Sequence, residues 1–204
     1  MERLRTQLAS DLHDEVSGLL AGISLQSELI RDQLEDDILD KKLQNIRQAS
    51  QLAMSKMSDV IWSIDSRRDR VSDLLNRMEE HADEVLLPLN IRYNLDARQL
   101  GENKAIPANI RQNVYFIYKE AINNVAKHAK ASMVDIRIGN QGQWFELVVK
   151  DNGVGELKTD ASGAKKRKGQ GLSNLRMRAQ RLNAQLDIVN GQGFTIHLRM
   201  KRFL

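Results

Sequence analysis

Four short stretches carry the residues of this sequence able to do chemistry. The first is Asp11-Leu12-His13-Asp14-Glu15. Carboxylates around an imidazole favour its protonated form, and they can also accept its proton when the ring attacks an electrophile. Taken alone, the stretch equally describes a solvated histidine on an acidic helix, because adjacent helical positions do not face one another. The second stretch runs from Glu120 through Asn123, Asn124 and Lys127 to His128. Glu120, Asn124, Lys127 and His128 succeed one another at steps of four, three and one, so they share or adjoin one helix face. Carboxylate and amide oxygens at that spacing suit a hydrated Mg2+, and the lysine suits a phosphate; an ordinary polar helix face has the same composition. The third, Asp151-Asn152-Gly153-Val154-Gly155, comes after the apolar strand Leu147–Val149. Its glycines let backbone approach a ligand closely, and a buried Asp accepts a hydrogen bond from an amino group. The fourth, Gly169-Gln170-Gly171-Leu172-Ser173-Asn174, opens a helix, and a glycine-rich loop at a helix N-terminus binds phosphate. Each glycine pair alone also reads as a plain turn; their order along the chain is what joins them.

Two kinds of scaffold must position these stretches. Leu12, Val16, Leu19, Ile23, Gln26 and Ile30, preceded by Leu4 and Leu8, recur in steps of four and three. So do Leu39, Leu43, Ile46, Ser50, Ala53, Met57, Val60 and Ile64. A period of about 3.5 residues is the seam of a helix bundle. The acidic patch Asp32, Glu35, Asp36 and Asp37 reads as the turn between them, with acids near the next helix start. Residues 1–65 therefore read as an antiparallel helical hairpin, with Leu20, Leu25, Leu29, Met54 and Ile61 flanking both seams. Two helices enclose too little interior to be stable alone, so two copies are expected to pair into a four-helix bundle, a homodimer.

Beyond the polar junction Ser66–Asp69 the pattern changes. It predicts a helix over Val71–Leu87 stopped near Pro88, a short strand at Ile91–Leu95, and a longer helix with Pro107 in its first turn running to about His128. Strands come next at Val134–Ile138 and Trp144–Lys150, joined by a turn at Gly139-Asn140-Gln141-Gly142. A helix over Leu172–Leu182 precedes strands Gln185–Val189 and Phe194–Met200, which flank a turn at Asn190-Gly191-Gln192-Gly193. The expected fold class is α+β: a hairpin over residues 1–68 and an α/β sandwich over 69–204.

Composition narrows the function. The chain has 204 residues, 41% hydrophobic and 28% charged with two prolines, which is globular and helix-rich rather than disordered or collagenous. No apolar run approaches the roughly 18 residues of a membrane span, and Met1 opens on a charged amphipathic segment rather than a signal peptide, so a cytoplasmic location is expected. The absence of cysteine excludes disulfides, Cys-zinc sites and thiol nucleophiles. Residues 1–70 hold 10 Lys+Arg against 13 Asp+Glu, and residues 71–204 hold 21 against 14. A basic C-terminal part suits an anionic ligand: nucleotide, nucleic acid or acidic protein. Nucleic acid is disfavoured, because four Phe, three Tyr and two Trp offer little stacking and no recognition motif accompanies the basic run Lys165-Lys166-Arg167-Lys168. His81, with Glu79, Glu80 and Asp83 around it, reads as solvated, and His197 as structural.

In order and spacing, the four stretches resemble the boxes of the bacterial sensor histidine kinases of two-component systems, in the subgroup whose phosphoacceptor box reads like Asp-Leu-His-Asp. The H box (Asp11–Glu15), the N box (Glu120–His128) and the two glycine boxes (Asp151–Gly155 and Gly169–Leu172) span nearly the whole chain. Met57–Ile64 resembles the end of the second bundle helix in that subgroup. The resemblance implies a dimerisation and histidine-phosphotransfer hairpin followed by a Bergerat-type ATP-binding domain, using ATP and Mg2+. It implies autophosphorylation and onward transfer to an aspartate of a response-regulator receiver domain. His13 matches the phosphoacceptor and Asp14 the general base, a role resting on resemblance because helix geometry does not single Asp14 out. Asn124 matches the Mg2+ ligand, with Glu120 in the same shell or acting through water, and Lys127 and His128 match positions near the phosphates. Asp151 matches the adenine-selecting carboxylate, Gly153 and Gly155 the nucleotide-pocket turn, and Gly169 and Gly171 the triphosphate end of a lid over Glu156–Lys168.

The chain departs from the family pattern at Ser17 and Gly18, where many members have Gly and Gln. That Gln is associated with positioning water for dephosphorylating the regulator; Gly18 has no side chain, so phosphatase activity is not carried over. Phe194 stands where many members have Thr and is assigned no nucleotide contact. The chain begins almost at the acceptor helix, and the expectation is the catalytic end of a longer protein, membrane-anchored or soluble, with no direct membrane contact from this part. The alternative on the same scaffold is a Bergerat-fold ATPase or Ser/Thr kinase without histidine phosphorylation.

Overall fold

The two apolar rhythms of the first 65 residues become two long helices, α1 (Glu2–Arg31) and α2 (Asp37–Ile64). A computed structural model of the chain describes residues 2–31, 37–101, 103–154, 170–191 and 193–202, with residues 2–15, 31, 37, 170 and 190 by backbone alone. The expected turn at Asp32, Glu35 and Asp36 and the lid Glu156–Lys168 lie outside the described residues. The chain divides into two compact units, Met1–Arg68 and Asp69–Leu204. Among the described residues no helix is long and apolar enough to cross a membrane.

In the first unit α1 and α2 pack along their length, along a stripe that only partly coincides with the one the sequence singles out. The inner stripe has Ser27, Leu43 and Ser50 buried, with Leu20, Ser24, Met54 and Ile61 half-buried. Ser27 Oγ donates to the Ile23 carbonyl at 2.8 Å, and Arg47 meets Glu28 across the helices at 3.5 Å. The predicted seam is split: Leu43 and Ser50 lie inside, whereas Leu19 is 70% exposed and Ile23, Ile30, Leu39, Ile46 and Val60 are exposed too. The physical reason is that a 3.5-residue stripe says which residues share a face, not which neighbour covers it. Ser24, Ser27 and Ser50 let the two helices of the hairpin approach, Leu20, Leu43, Met54 and Ile61 fill the space beside them, and the other large aliphatic side chains stay outside.

A short 3-10 turn (Ser66–Arg68) ends the first unit, and the second opens with α3 (Val71–Leu86). Val71, Leu74, Leu75, Met78, Ala82 and Leu86 are buried at the three- and four-residue steps of an amphipathic helix. Pro88 stops the helix in a 3-10 turn (Leu87–Leu89), and Asn90 (φ 56°) turns the chain into β1 (Arg92–Arg98). His81 corrects the expectation of a solvated side chain. It is buried, with its ring edge-on to Tyr115 and Tyr118 at 6.4 and 6.3 Å between centroids. Position 81 lies one turn beyond Met78, and the tyrosines of the next helix cover it.

Pro107 caps rather than enters α4 (Ala108–Asn124), whose Val114, Tyr115, Ile117, Tyr118, Ala121 and Ile122 are buried. Arg111, fully buried, pairs with Asp69 at 3.0 Å, and Ile106 N–H donates to the Asp69 carbonyl at 3.0 Å. A buried charge needs such a partner, and this pair ties the start of the unit to the helix that bears the N box.

Strands β2 (Met133–Gln141), β3 (Trp144–Asp151), β4 (Gln185–Gly191) and β5 (Gly193–Lys201) complete a five-stranded sheet of order β1-β2-β3-β5-β4, parallel only between β1 and β2. Alternate residues Val134, Ile136 and Ile138, Phe145, Leu147 and Val149, and Ile196, Leu198 and Met200 are buried. Helices α3, α4 and α5 (Gln170–Arg181) pack against one another and against strands of this sheet, giving the expected α/β sandwich. The β2–β3 connection is shorter than predicted: β2 continues through Gly139 and Asn140, and Gly142 (φ 60°) and Gln143 make the turn. Gly139 is needed for a different reason, since a Cβ there would collide with the Arg98 carbonyl on β1. β4 and β5 likewise extend through Gly191 and from Gly193.

Candidate functional site

The C-terminal end of α4 departs from α-helical geometry. After Asn124 the chain makes a π-turn over Val125–Ala129, and Lys130 (φ 50°) ends it. The α-helical spacing of the N box therefore holds from Glu120 to Asn124, both half-buried, and the extra residue per turn re-aims the side chains beyond Asn124. Lys127 and His128 emerge exposed at the surface of this turn.

Asp151 is the last residue of β3, in the buried phase of that strand and 2% exposed. Its Oδ1 accepts the Gly153 N–H at 2.8 Å and its Oδ2 the Phe194 N–H at 3.2 Å. A carboxylate oxygen has a second lone-pair direction, so the group can still accept a donor from a ligand. Glycines enforce the closeness. A Cβ on Gly153 would strike the Ala129 carbonyl, and one on Gly193 (φ 87°) would strike the carbonyl of Asp151. Val154 N–H donates to that same Ala129 oxygen at 2.9 Å, joining the loop after β3 to the end of the π-turn. Glu120 meets the start of α5, because a Cβ on Gly171 would collide with its Oε1. A carboxylate beside a helix N-terminus is favoured by the backbone dipoles there.

Of the residues picked out in the sequence, the structure brings Glu120 to Gly171. It also brings Asp151 and Gly153 to the π-turn beyond Asn124, which carries Lys127 and His128. His13 and Asp14 lie on α1, in the other unit, with their backbone alone described. Gly155 and Gly169 lie outside the described residues. Three positions escaped the sequence reading, Asn152 on one side of Asp151 and the pair Gly193 and Phe194 on the other. Asn152 accepts the N–H groups of Ser132 and Met133 at 2.9 and 3.0 Å and donates to Ser132 Oγ at 3.0 Å, so it clamps the loop that bears Asp151 to the start of β2. Gly193 and the Phe194 N–H close the other side of Asp151. An Asn directly after the strand was the available signal for the first; the other two depend on strand pairing that sequence does not show.

Glu120 and Asn124 offer oxygen donors one turn apart, and among the described residues no group of three or more His, Asp or Glu could hold a metal ion by itself. The donor set fits Mg2+ and not zinc, since Mg2+ takes one or two protein oxygens and fills its shell with water and substrate phosphate.

The two glycines differ in what they would disturb. Gly153→Ala forces a methyl against backbone that cannot rotate away, and it is expected to lower stability by about 2 kcal/mol or more in urea unfolding. Gly171→Ala meets the free end of a side chain, and its cost in the same experiment is expected below about 1 kcal/mol. Equal losses would show that Glu120 is as immobile as the backbone.

Residues 5–70 match the family described as histidine kinase, and residues 109–203 match the histidine kinase-, DNA gyrase B- and HSP90-like ATPases. Among curated proteins, the signal transduction histidine-protein kinase/phosphatase DegS of Brevibacillus brevis is 29% identical over 197 residues, 92% of this chain and 48% of that protein. The sensor histidine kinases LiaS and DesK of Bacillus subtilis are each 26% identical, over 97% and 94% of this chain and 53% and 50% of theirs. The chain thus spans about half the length of these relatives. Among solved structures, the histidine kinase domain of the Erythrobacter litoralis EL346 blue-light activated histidine kinase superposes with a TM-score of 0.58 at 14% identity, covering 90% of this chain and 94% of that one. Acinetobacter baumannii histidine kinase AdeS superposes with a TM-score of 0.56 at 15% identity, covering 94% and 98%. At such identities the structural likeness speaks for the fold.

Proposed function

The chain belongs to the two-component sensor histidine kinases as a catalytic core, and from that premise we propose that it transfers the γ-phosphoryl group of ATP to His13 and passes it to an aspartate of a response regulator. The observation that carries this reading is the Asp151 carboxylate, buried at the end of β3 among close-packed glycine backbone and accepting two backbone N–H groups, with lone pairs left for one further donor such as an adenine amino group would supply. Gly153 keeps the backbone close enough for a flat base to lie against it. Lys127 and His128 stand exposed where the phosphates would run, with Gly155, Gly169 and Gly171 serving the pocket turn and the triphosphate end.

Glu120 and Asn124 would hold Mg2+, which supplies neutralisation of phosphate charge. In the transfer, a ring nitrogen of His13 forms a bond to the γ-phosphorus as the bond to the β,γ-bridging oxygen breaks, and ADP leaves. The proton on the opposite ring nitrogen passes to Asp14. The transition state is loose, so alignment contributes more than nucleophilic strength. The N–P bond is labile, which suits onward transfer. Acceptor and nucleotide residues belong to different units, and the Ser66–Asp69 junction that joins them is the hinge the transfer would use.

Incubation with γ-labelled ATP and Mg2+ tests this. Acid-labile, base-stable label on His13, strongly reduced in Asn124→Ala, is the expected result; base-labile label or label on another side chain overturns it.

The outward apolar face of the hairpin supports a homodimer in which Leu19, Ile23, Leu39, Ile46 and Val60 meet their copies. Burying each such side chain contributes on the order of 2 kcal/mol. Light scattering at micromolar concentration should give a dimer for the native chain and a monomer for Ile23→Glu combined with Ile46→Glu. A native monomer removes the bundle.

A further inference from the structure

Hydrogen bonds lace the turn after β3 to the segment that leads from the π-turn into β2. Asn152 Oδ1 accepts the N–H groups of both Ser132 and Met133, at 2.9 and 3.0 Å, and Asn152 Nδ2 donates to Ser132 Oγ at 3.0 Å. The Asn152 N–H donates to the Met133 carbonyl at 3.2 Å, and the Val154 N–H to the Ala129 carbonyl at 2.9 Å. The anchor belongs to the sheet, since the Ser132 carbonyl accepts the Arg92 N–H at the start of β1 at 3.0 Å. Asn152 and Ser132 are exposed, so water would satisfy the same groups, and holding the Asn152 carboxamide in one rotamer costs entropy. What the staple supplies is direction. Gly153 lies between the two pinned residues, so close to the Ala129 carbonyl that it has no room for a Cβ, and its N–H is the donor that Asp151 Oδ1 accepts at 2.8 Å. With Asn152 held on one side and Val154 on the other, that N–H has one direction, and the carboxylate turns to meet it. The other oxygen meets the Phe194 N–H at 3.2 Å, which completes the orientation.

We propose that Asn152 is a positioning residue for base selection: by stapling the turn after β3 to Ser132 and Met133 it fixes the Gly153 amide, and through that amide the direction in which Asp151 presents its remaining lone pairs. The inference rests on the proposed role of Asp151 toward adenine and assigns Asn152 no contact with the nucleotide. A carboxylate free to turn weakens the bond to the base amino group, whereas the phosphate contacts common to all nucleotides stay. The side-chain chemistry narrows what can stand at this position. An aspartate still accepts both N–H groups and the Ser132 hydroxyl proton, and an alanine does none of this.

The test uses the full chain and non-hydrolysable analogues of ATP and GTP, with binding read by calorimetry. Asn152→Ala is expected to lower affinity for the ATP analogue by about fivefold, the scale of one ordinary hydrogen bond, and to leave the GTP analogue within about twofold. The preference for adenine therefore narrows by the same factor. Asn152→Asp should keep both affinities and the preference close to native. Asn152→Ala combined with Asp151→Asn should discriminate no worse than Asp151→Asn alone, because the staple acts through that carboxylate. In the labelling reaction, Asn152→Ala should raise KM for ATP and keep kcat at saturation within about twofold of native. Native affinity and preference in Asn152→Ala, an equal loss for both analogues, or an Asn152→Asp variant as poor as Asn152→Ala would overturn the proposal. If Asn152→Ala does not fold, Asn152→Ser, which keeps one hydroxyl acceptor on a shorter stem, decides the matter by the same readouts. A native chain that binds neither analogue, or binds both alike, sinks the reading of Asp151; a native chain that prefers the ATP analogue while Asn152→Ala prefers it equally sinks this inference alone.

Discussion

His13→Gln should abolish incorporation of acid-labile phosphate while leaving ATP affinity within about twofold of the native chain. A glutamine amide fills similar space and forms hydrogen bonds, but its nitrogen lone pair is delocalised into the carbonyl and does not attack phosphorus. Gln is also a better helix former than His, so α1 is not weakened. The proposed nucleotide residues lie in Asp69–Leu204 and His13, the proposed acceptor, in Met1–Arg68, so the substitution changes no residue assigned to nucleotide binding. Phosphate incorporation measured beside equilibrium nucleotide binding separates the two. Persisting label at the native rate would return the protein to the alternative reading, an ATPase or Ser/Thr kinase on the same fold.

Asp151→Asn should cost nucleotide affinity by about 10- to 100-fold, the loss of one hydrogen bond to a charged acceptor worth roughly 1.5–3 kcal/mol. Both oxygens of Asp151 accept backbone N–H groups, from Gly153 and Phe194, and an asparagine must turn an NH2 toward one of them. One buried donor then loses its acceptor and meets another donor. The variant should therefore also lose about 1–3 kcal/mol of stability in urea unfolding. It should lose its preference for ATP over GTP, because a side-chain amide can both donate and accept. Binding of the two nucleotides by calorimetry, on protein shown to be folded, reads this directly. Unchanged ATP affinity and an unchanged preference would remove Asp151 from base recognition.

The fold was legible where periodicity is strong. The alternation in β2, β3 and β5, the amphipathic run of α3 and the breaks at Pro88 and Pro107 led to an α/β sandwich after a helical hairpin, and the structure has those elements. Errors collected where a local pattern has two meanings. Gly139 looked like a turn residue and is a point of close strand approach. His81 looked solvated because its sequence neighbours are acidic, yet neighbours in sequence point elsewhere on a helix, and Tyr115 and Tyr118 decide its surroundings. The predicted helix reached His128 at α-helical spacing because nothing in the sequence announces the π-turn after Asn124.

By itself the sequence determined the order of the four boxes, the helix and strand periods, and the residue types on offer: one histidine among carboxylates, an Asp at a strand end, glycines where backbone must come close. Those are local properties, set by covalent order and by the geometry of single elements. Tertiary structure alone decided which stripe of the hairpin faces inward, that Asp151 is gripped by Gly153 and Phe194, and that Arg178 rests on Phe116. Each of these joins positions through packing, and packing depends on which surfaces meet, a choice that the pattern along one segment does not contain.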